Sequence, residues 1–402
     1  MTNSVVIVGA GEAGGQTAIS LRQGGYDGTI TVIGDEPYIP YERPALSKQF
    51  LAGELDMERL YLRAEAFYDE RDIALKLDGW VDAITPGQSV AMSDGEVEPA
   101  ASIVLATGGR VRPLPVDGAD LSGVHFLRTI DDVLAFRDRL KPNTKLAIVG
   151  GGYIGLEVAA VATKLGCAVT VLEMTNRVLN RVAAPVVSDF YTRVHREAGV
   201  DIRTDVTVSG FEGDTTVKQV VCTDGSRIDT DVVIIGIGII PNVELAEAAG
   251  LAVENGITVD AMTRTSAETV YAVGDCTNHP NDLLGRRLRL ESVQNALSQG
   301  KTAANAILGK AEPYAEIPWF WSDQYDIKLQ MVGINDPDDQ VIVRGDSNSR
   351  SFSVCYLRDG VLVAVNALNR PKDFIHAKKA IAAKVTPDSQ RLADPEVPIK
   401  SL

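Results

Sequence analysis

The stretches SVVIVGAGEAGG (residues 4–15) and KLAIVGGGYIGLE (residues 145–157) decide the fold of this chain. Each is an apolar run of strand type that continues into Gly-x-Gly-x-x-Gly and then into a helical pattern. A strand, a glycine turn and a helix in this order are typical of a Rossmann-like domain, in which the helix N-terminus holds the pyrophosphate of one dinucleotide. Two copies therefore predict two dinucleotide sites in one chain.

In the first copy each glycine has a physical task. Gly9 allows the tight turn, Gly11 lets the backbone approach a phosphate, and Gly14 lets the helix pack closely on the strand. Asp35 follows Gly9 by 26 residues and is placed to accept hydrogen bonds from a ribose. The adjacent Glu36 is the alternative for this role.

The second copy repeats the pattern with an acid at similar spacing. Its glycines are Gly150, Gly152 and Gly155. Glu173 follows Gly150 by 23 residues; its carboxylate would accept from a free 2′-hydroxyl and repel a 2′-phosphate, which favours NADH over NADPH. Arg177 and Arg181 follow closely, so the choice against NADPH stays open at this point.

Two sites on one chain predict two different dinucleotides, and a flavin with a nicotinamide is the economical pair. The stretch TVYAVGDC (residues 269–276) ends a strand in Gly274-Asp275 after the chain has returned from the second unit. Only the first nucleotide domain is interrupted in this way. We therefore expect it to hold the larger FAD and the inserted domain to hold NADH.

The predicted fold class is α/β, with two Rossmann-like domains and a small α+β C-terminal domain. The C-terminal part contains strand patterns joined by an Asp359-Gly360 hairpin turn, followed by a helical pattern. The predicted boundaries are residues 1–112 and 243–317 for a discontinuous FAD-binding domain, residues 113–242 for the NADH-binding domain and residues 318–402 for the C-terminal domain.

Composition excludes several classes of function. A formal net charge of −15 argues against nucleic acid binding. No apolar run approaches the length of a membrane span, and the first residues do not match a signal peptide, so we expect a cytoplasmic protein without membrane association. The four cysteines are widely spaced without CxxC, and the histidines are not paired at ligand spacing, so no metal site is expected.

Seven stretches together carry a resemblance to a known family. They are YERPALSK (41–48), LATGGRVRPLP (105–115), LRTIDD (127–132), IVGGGYIGLEVAA (148–160), GDCTNHP (274–280), ESVQNA (291–296) and WFWSDQYDIKLQMVG (319–333). The chain resembles, over nearly its whole length, the putidaredoxin reductase type of FAD-dependent ferredoxin reductase, within the glutathione reductase superfamily. This resemblance implies the same three domains.

The resemblance also implies specific site residues. FAD contacts would be Ala13, Asp35, Arg43, Lys48, Val81, Arg128, Asp275, Val293 and Trp319, and NADH contacts would be Gly152, Tyr153, Ile154, Glu157 and Glu173. The catalytic candidates are Lys48 near the reacting part of the flavin, Glu157 beside the nicotinamide amide, and Trp321 at the ring end of the flavin. Each also has a purely structural interpretation, as a surface lysine, a first-turn glutamate favoured by the helix dipole, and a core tryptophan.

The resemblance implies that NADH gives a hydride to FAD, and that single electrons pass on to a [2Fe–2S] ferredoxin serving an oxygenase. A haem-thiolate (P-450-type) monooxygenase is the first expectation, a ring-hydroxylating dioxygenase the second and rubredoxin the third. A flavin disulfide reductase needs a cysteine on the early helix, and the chain has none before Cys167. A lone Cys276 fits a packed small residue. An NADH oxidase remains an alternative. A flavin-bearing signalling protein would predict a long extra segment or a targeting signal, and the sequence shows neither.

An acidic ferredoxin needs local positive charge on an otherwise acidic protein. The candidates are Arg286, Arg287 and Arg289 in GRRLR (285–289) together with Lys301, and further positions are Lys378, Lys379 and Arg63. Each also fits an ordinary solvated surface. The resemblance suggests a monomer or a weak dimer.

Overall fold

The computed structural model describes residues 3–310 and 312–402. Its contacts divide the chain into two compact units. The first unit comprises Met1–Arg43, Asp56–Arg110 and Ile239–Pro318, and the second comprises Pro44–Leu55, Val111–Gly238 and Trp319–Leu402. The three domains with the boundaries predicted from the sequence stay a prediction.

The helices of the described residues are α1 (Glu12–Gln23), α2 (Glu65–Asp69), α3 (Ile130–Phe136), α4 (Tyr153–Lys164), α5 (Pro185–Glu197), α6 (Glu244–Ala248), α7 (Val293–Ile307), α8 (Pro371–Ala382) and α9 (Ser389–Ala393). Short 3₁₀ helices span Arg43–Ser47, Met57–Arg59, Arg137–Arg139 and Ile399–Ser401. Helices α1 and α4 begin directly after the two glycine turns, as the sequence pattern predicts.

A five-stranded parallel sheet forms the centre of the first unit. Its strands, in spatial order, are Val270–Ala272, Ser102–Leu105, Ser4–Val8, Thr29–Ile33 and Ile73–Lys76. The strand before the first glycine turn is central, and the strand after α1 is its neighbour. This is the arrangement of a Rossmann-like unit.

A second five-stranded parallel sheet, in the second unit, has the same plan. Its strands, in spatial order, are Asp201–Arg203, Ala168–Leu172, Lys145–Val149, Val232–Ile235 and Val124–Phe126. The strand before the second glycine turn is again central. The α/β fold with two Rossmann-like domains is thereby confirmed.

The remaining sheets are smaller or antiparallel. Residues 319–402 contain the antiparallel sheet Trp319–Gln324, Ile327–Gly333, Val361–Leu368, Phe352–Arg358 and Gln340–Arg344, with α8 packed on it. Three-stranded sheets are Val208–Gly213 with Val217–Cys222 and Arg227–Asp229, Val81–Thr85 with Ser89–Met92 and Val97–Pro99, and Ile257–Thr258 with Thr277–Asn281 and Arg286–Leu288. Gly109–Val111 pairs with Ile239–Pro241. The α+β C-terminal part is as expected.

The first central strand is apolar at every position after Ser4 because both faces of a parallel sheet are covered. Val5 and Ile7 belong to the cluster that includes α1 and α7, while Val6 and Val8 belong to the cluster on the opposite face. The alternation of side chains along a strand produces this division.

Helix α7 lies close to α1 because Gly300 has no side chain. A Cβ at Gly300 would lie 2.8 Å from the carbonyl oxygen of Ala13. Ser292 caps the start of α7 by accepting a hydrogen bond from the backbone N–H of Asn295 at 3.2 Å. Among the helices of residues 3–310 and 312–402, none combines the length and the apolar character needed to cross a bilayer.

Candidate active site

The outer two glycines of the first loop make close backbone contacts. Gly9 has φ +115°, and a Cβ there would overlap the carbonyl oxygen of Ala106. A Cβ at Gly14 would overlap the carbonyl oxygen of Gly9, so any side chain would push α1 away from the turn. The turn and the helix can therefore pack in this way only with glycine at both positions.

The middle glycine faces open space. Gly11 is the N-cap of α1 in extended conformation, and no heavy atom of the described residues lies within 4 Å of where its Cβ would stand. No side chain of the described residues caps the start of this helix, so its first backbone N–H groups remain available for a ligand. These features fit a pyrophosphate held by backbone N–H groups and the positive end of the helix dipole.

The second loop repeats this geometry. Gly150 has φ +109°, a Cβ there would approach the carbonyl oxygen of Gly236, and a Cβ at Gly155 would overlap that of Gly150. Gly152 is the N-cap of α4 with open space around its Cβ position, and no side chain within the described ranges caps it. Both loops thus fit a dinucleotide.

The acids beyond the two loops have different partners. Glu173 accepts from the backbone N–H of Gly151 at 2.7 Å with one oxygen, and from Thr175 at 2.7 and 2.8 Å with the other. Asp35 is exposed. Its predicted alternative, Glu36, forms an ion pair with Arg43 at 2.6 Å, so Asp35 is the more accessible carboxylate at the first loop.

The other predicted FAD residues of the first unit are Ala13, Arg43, Val81, Asp275 and Val293. Ala13 is buried in α1, 3.0 Å from the Cβ position of Gly274, and Asp275 follows this glycine. Burial lowers the pKa of the Arg43 guanidinium, but its neighbours, Asp275 among them, outweigh this effect and raise it. Val293 is the first residue of α7. Val81 begins a strand and packs into the core, so its backbone is the part that a cofactor could contact.

The second unit contains a buried ion pair between two of the catalytic candidates. Nζ of Lys48 lies 2.7 Å from Oε2 of Glu157, and the Glu157 side chain is 3% exposed. The hydroxyl of Ser47 donates to the same oxygen at 2.5 Å, and that of Ser322 donates to Oε1 at 2.6 Å. Both carboxylate oxygens are therefore held before any substrate arrives.

The remaining predicted residues of the second unit lie in three places. Trp319 and Trp321 are partly exposed, with ring centroids 5.6 Å apart. Tyr153 donates its hydroxyl to the sulfur of Met331 at 2.8 Å, and burial raises the pKa of this phenol. Ile154 is 45% exposed beside it. The backbone N–H of Arg128 donates to Asp132 at 2.8 Å, at the capped start of α3.

Sequence reasoning missed several polar residues around Glu157. Ser47, Ser322, Gln324 and His195 are buried and hydrogen-bonded in the second unit. One signal was present: Ser322 and Gln324 alternate along a strand and so share a face. No pattern connected them with His195, which lies 129 residues away from Gln324 in the chain.

The cysteines have no redox partner among the described residues, where all four are free and buried. Burial raises the pKa of the Cys167 and Cys276 thiols, and raises that of Cys355 to about 12. Thiols of this kind are poor nucleophiles.

The predicted basic residues of the first unit differ in their contacts and exposure. The guanidinium of Arg287 donates to the carbonyl oxygens of Val259 and Asn278, and that of Arg289 pairs with Glu291 at 2.7 Å. Arg286 and Lys301 are exposed.

Comparisons with known proteins show which families and relatives this chain resembles. Two protein families match: pyridine nucleotide-disulphide oxidoreductase over residues 3–300 and reductase C-terminal over residues 319–402. Putidaredoxin reductase CamA of Pseudomonas putida is 45% identical over 407 residues, covering 100% of this chain and 96% of the relative. The ferredoxin–NAD(+) reductase component of the anthranilate 1,2-dioxygenase system of Burkholderia cepacia is 44% identical over 400 residues, 98% of each chain.

A solved structure matches over nearly the whole length. The crystal structure of a covalent putidaredoxin reductase–putidaredoxin complex superposes with a TM-score of 0.96 at 45% identity, covering 99% of this chain and 97% of the other.

Proposed function

This chain belongs to the pyridine nucleotide-disulphide oxidoreductase family and is an FAD-dependent NADH:ferredoxin oxidoreductase of the putidaredoxin reductase type. On this premise we propose that it supplies electrons, through an acidic [2Fe–2S] ferredoxin, to a haem-thiolate monooxygenase of the P-450 type. The observation that supports this path is the set of four buried, free cysteines in the described chain, which provides no internal redox disulfide. Without a redox dithiol, electrons that enter from NADH must leave to an external acceptor.

The first glycine loop would hold FAD and the second NADH. When bound, FAD accepts the hydride of NADH and releases the two electrons one at a time. Gly11 and Gly152 open the two helix starts to the pyrophosphates, and Asp35 and Glu173 accept from the ribose hydroxyls.

Lys48 and Glu157 are the residues that we assign to the reacting groups. The Lys48 ammonium supplies a fixed positive charge in a largely water-excluded place, where a developing negative charge is stabilised most strongly. When NADH is bound, the Glu157 carboxylate would accept from the nicotinamide amide and so orient the ring. Trp321 is assigned to the ring end of the flavin because the family resemblance implies it. Orientation of this kind lowers the entropy cost of hydride transfer.

The geometry near Glu173 supports a preference for NADH. The guanidinium of Arg177 is occupied by the carbonyl oxygens of Ala183 and Asn180 and by the Ser188 hydroxyl, at 2.7–3.0 Å. It is therefore engaged away from a 2′-phosphate. Arg181, four residues further along the chain, is exposed.

The ferredoxin would dock where positive charge is exposed on the first unit. Arg286 and Lys301 are exposed there, while Arg287 and Arg289 hold the hairpin and its neighbours in place. We expect Lys301→Gln to raise the KM for ferredoxin about threefold at low salt, because one attractive charge is lost. Lys400→Gln, on an exposed lysine of the second unit, is the matched control and should leave this KM unchanged.

A second type of oxygenase is a candidate for the final electron acceptor. The relative from an anthranilate dioxygenase system is almost as similar as putidaredoxin reductase, so a ring-hydroxylating dioxygenase is the alternative. Comparing product formation with a P-450-type and a dioxygenase-type ferredoxin, each with its oxygenase, distinguishes the two.

Cytochrome c reduction driven by NADH tests the reductase activity. The purified protein is assayed with and without an acidic [2Fe–2S] ferredoxin, at low and high salt. We expect turnover to depend on ferredoxin and to fall as salt rises. Equal consumption of NADH and oxygen without ferredoxin would instead indicate an NADH oxidase.

A further inference from the structure

Glu157 lies at one end of a chain of polar side chains that ends at the surface of the second unit. The Ser322 hydroxyl lies 2.6 Å from Oε1 of Glu157, and Nε2 of Gln324 lies 3.1 Å from that hydroxyl. Oε1 of Gln324 lies 2.8 Å from Nε2 of His195, and Nδ1 of His195 lies 3.1 Å from the Tyr325 hydroxyl. All except Tyr325 are buried, and Tyr325 is 38% exposed.

The direction of these hydrogen bonds follows from the carboxylate. Glu157 is paired with Lys48 and can only accept, so the Ser322 hydroxyl must donate its single hydrogen to Glu157. The Ser322 oxygen then accepts from Gln324, which requires the amide nitrogen of Gln324 to face Ser322. The charge of Glu157 thus sets the orientation of an amide two contacts away.

The same reasoning continues to the surface. Because Oε1 of Gln324 can only accept, Nε2 of His195 must carry a hydrogen. Burial lowers the pKa of His195 to about 4, so the imidazole is neutral at pH 7 and its Nδ1 is an acceptor. The Tyr325 hydroxyl must then donate to Nδ1. Every donor points toward Glu157.

A buried chain of this kind is expensive unless each group has a partner. Glu157, Ser322, Gln324 and His195 are 3%, 0%, 1% and 0% exposed, and each is bonded to its neighbours. Replacing all of these groups together by well-packed apolar side chains would remove the need for such partners. The buried polar side chains therefore indicate a functional role for Glu157, the residue at their end.

We propose that Ser322, Gln324 and His195 position the Glu157 carboxylate through hydrogen bonds that all run toward it, and that this one-directional chain sets the rate of hydride transfer from NADH. The inference rests on the role proposed above for Glu157. The chain positions Glu157 and does not conduct protons, because the Gln324 amide lies in its path and a neutral amide is a poor proton carrier. His195, Gln324 and Ser322 are accordingly positioning residues.

The first test measures the tautomer of His195 in the FAD-loaded full chain by ¹⁵N NMR of labelled histidine at pH 7. We expect neutral His195 with its proton on Nε2. A proton on Nδ1, or a charged imidazolium, would contradict the direction of the chain. The signal is assigned by replacing the other three histidines one at a time, so His195 itself stays intact. This result does not depend on activity.

The second test removes one donor from the hydrogen-bonded chain with little change in side-chain shape. Gln324→Glu replaces the amide donor by a carboxylate oxygen, so Ser322 faces two acceptors with one hydrogen. We expect the rate constant for flavin reduction at saturating NADH to fall about tenfold, with electron transfer from chemically reduced enzyme to ferredoxin unchanged. Gln390→Glu adds the same charge on the exposed surface of α9 and is the matched control.

If Gln324→Glu does not fold, Ser322→Ala removes the last donor, and we expect a similar loss of flavin reduction rate. Wild-type rates of flavin reduction in a folded, FAD-loaded Gln324→Glu or Ser322→Ala would overturn the proposal. A wild-type protein that is reduced by NADH but passes nothing to ferredoxin would instead contradict the proposed function, leaving the positioning chain intact.

Discussion

The two glycine loops share three glycines and a strand order but differ at the residue that follows the second strand. Val8 pairs with Ile33, and Val149 pairs with Leu172, so Gly34 and Glu173 occupy matching positions. A Cβ at Gly34 would lie 2.5 Å from the Cβ of Ala10, whereas Glu173 bonds to the backbone of the adjacent loop.

This difference shows how one scaffold accommodates two cofactors. At the second loop the acidic residue directly follows the second strand and accepts a hydrogen bond from the backbone of Gly151. At the first loop the acids come one and two residues later, with Asp35 exposed and Glu36 bound to Arg43. A loop that keeps its helix geometry but moves its acid can place a ribose differently.

The largest effect is expected at the third glycines, because a methyl group there overlaps a carbonyl oxygen of the same loop. Gly14→Ala should yield protein without FAD, whereas Gly155→Ala should retain FAD and lose reduction by NADH. FAD content after gel filtration and anaerobic addition of NADH measure the two properties. Loss of FAD in both variants, or in neither, would contradict the division between the loops.

The middle glycines should show a smaller effect of a different kind. Open space surrounds the Cβ positions of Gly11 and Gly152 within the described chain, so alanine fits the folded protein and obstructs only the approaching phosphate. We expect Gly11→Ala to weaken FAD binding and Gly152→Ala to raise the KM for NADH, each about tenfold to a hundredfold. Melting temperatures of the cofactor-free proteins provide the control and should remain near that of the unmodified chain.

Each unit buries one histidine with opposite bonding. His195 is bonded at both ring nitrogens, whereas neither nitrogen of His279 has a hydrogen-bond partner among the described residues. His195→Phe should lower the free energy of unfolding by about 1–3 kcal/mol, because Gln324 and Tyr325 lose their partner. His279→Phe should leave it unchanged or raised, since the ring already packs edge-on against Tyr314. Denaturant unfolding measures both, and a large loss at His279 would contradict this difference between the two histidines.

These histidines also predict a pH dependence. Burial lowers the pKa of both to about 4, below the ordinary 6.5. The unfolded chain therefore binds protons that the folded chain does not, and stability should fall as the pH decreases from 6.5 toward 4, by up to about 1.4 kcal/mol per pH unit for each histidine. Unfolding curves at several pH values, with His279→Phe for comparison, test this. If the free energy of unfolding changed with pH by the same slope in both proteins, His279 would not contribute to the pH dependence.

The smallest effect is expected at the two acids. Glu173→Gln keeps one acceptor oxygen, so we expect the KM for NADH to rise less than about tenfold and the discrimination against NADPH to weaken. Asp35→Asn should change FAD affinity alone. Initial rates with NADH and NADPH, and FAD dissociation constants, separate the two effects. An unchanged NADH to NADPH ratio in Glu173→Gln would shift the discrimination to another residue.

The sequence predicted what local chain geometry controls. Glycine spacing, the strands on either side and the start of α1 and α4 depend on residues close together in the chain, and the structure has these elements where the pattern indicates. The environment of Glu157 was not predictable in this way. Lys48 and Ser322 reach Glu157 from 109 and 165 residues away, so only tertiary packing brings their side chains together. The roles of the individual site residues stay predictions.

An anaerobic count of ferredoxin molecules reduced per NADH tests the central claim most directly. The account predicts two acidic [2Fe–2S] ferredoxins reduced for each NADH oxidised, followed at the ferredoxin's visible absorbance, with no loss of NADH when ferredoxin is omitted beyond the amount that reduces the bound flavin. NADH oxidation without matching ferredoxin reduction would contradict the conversion of one hydride into two single electrons.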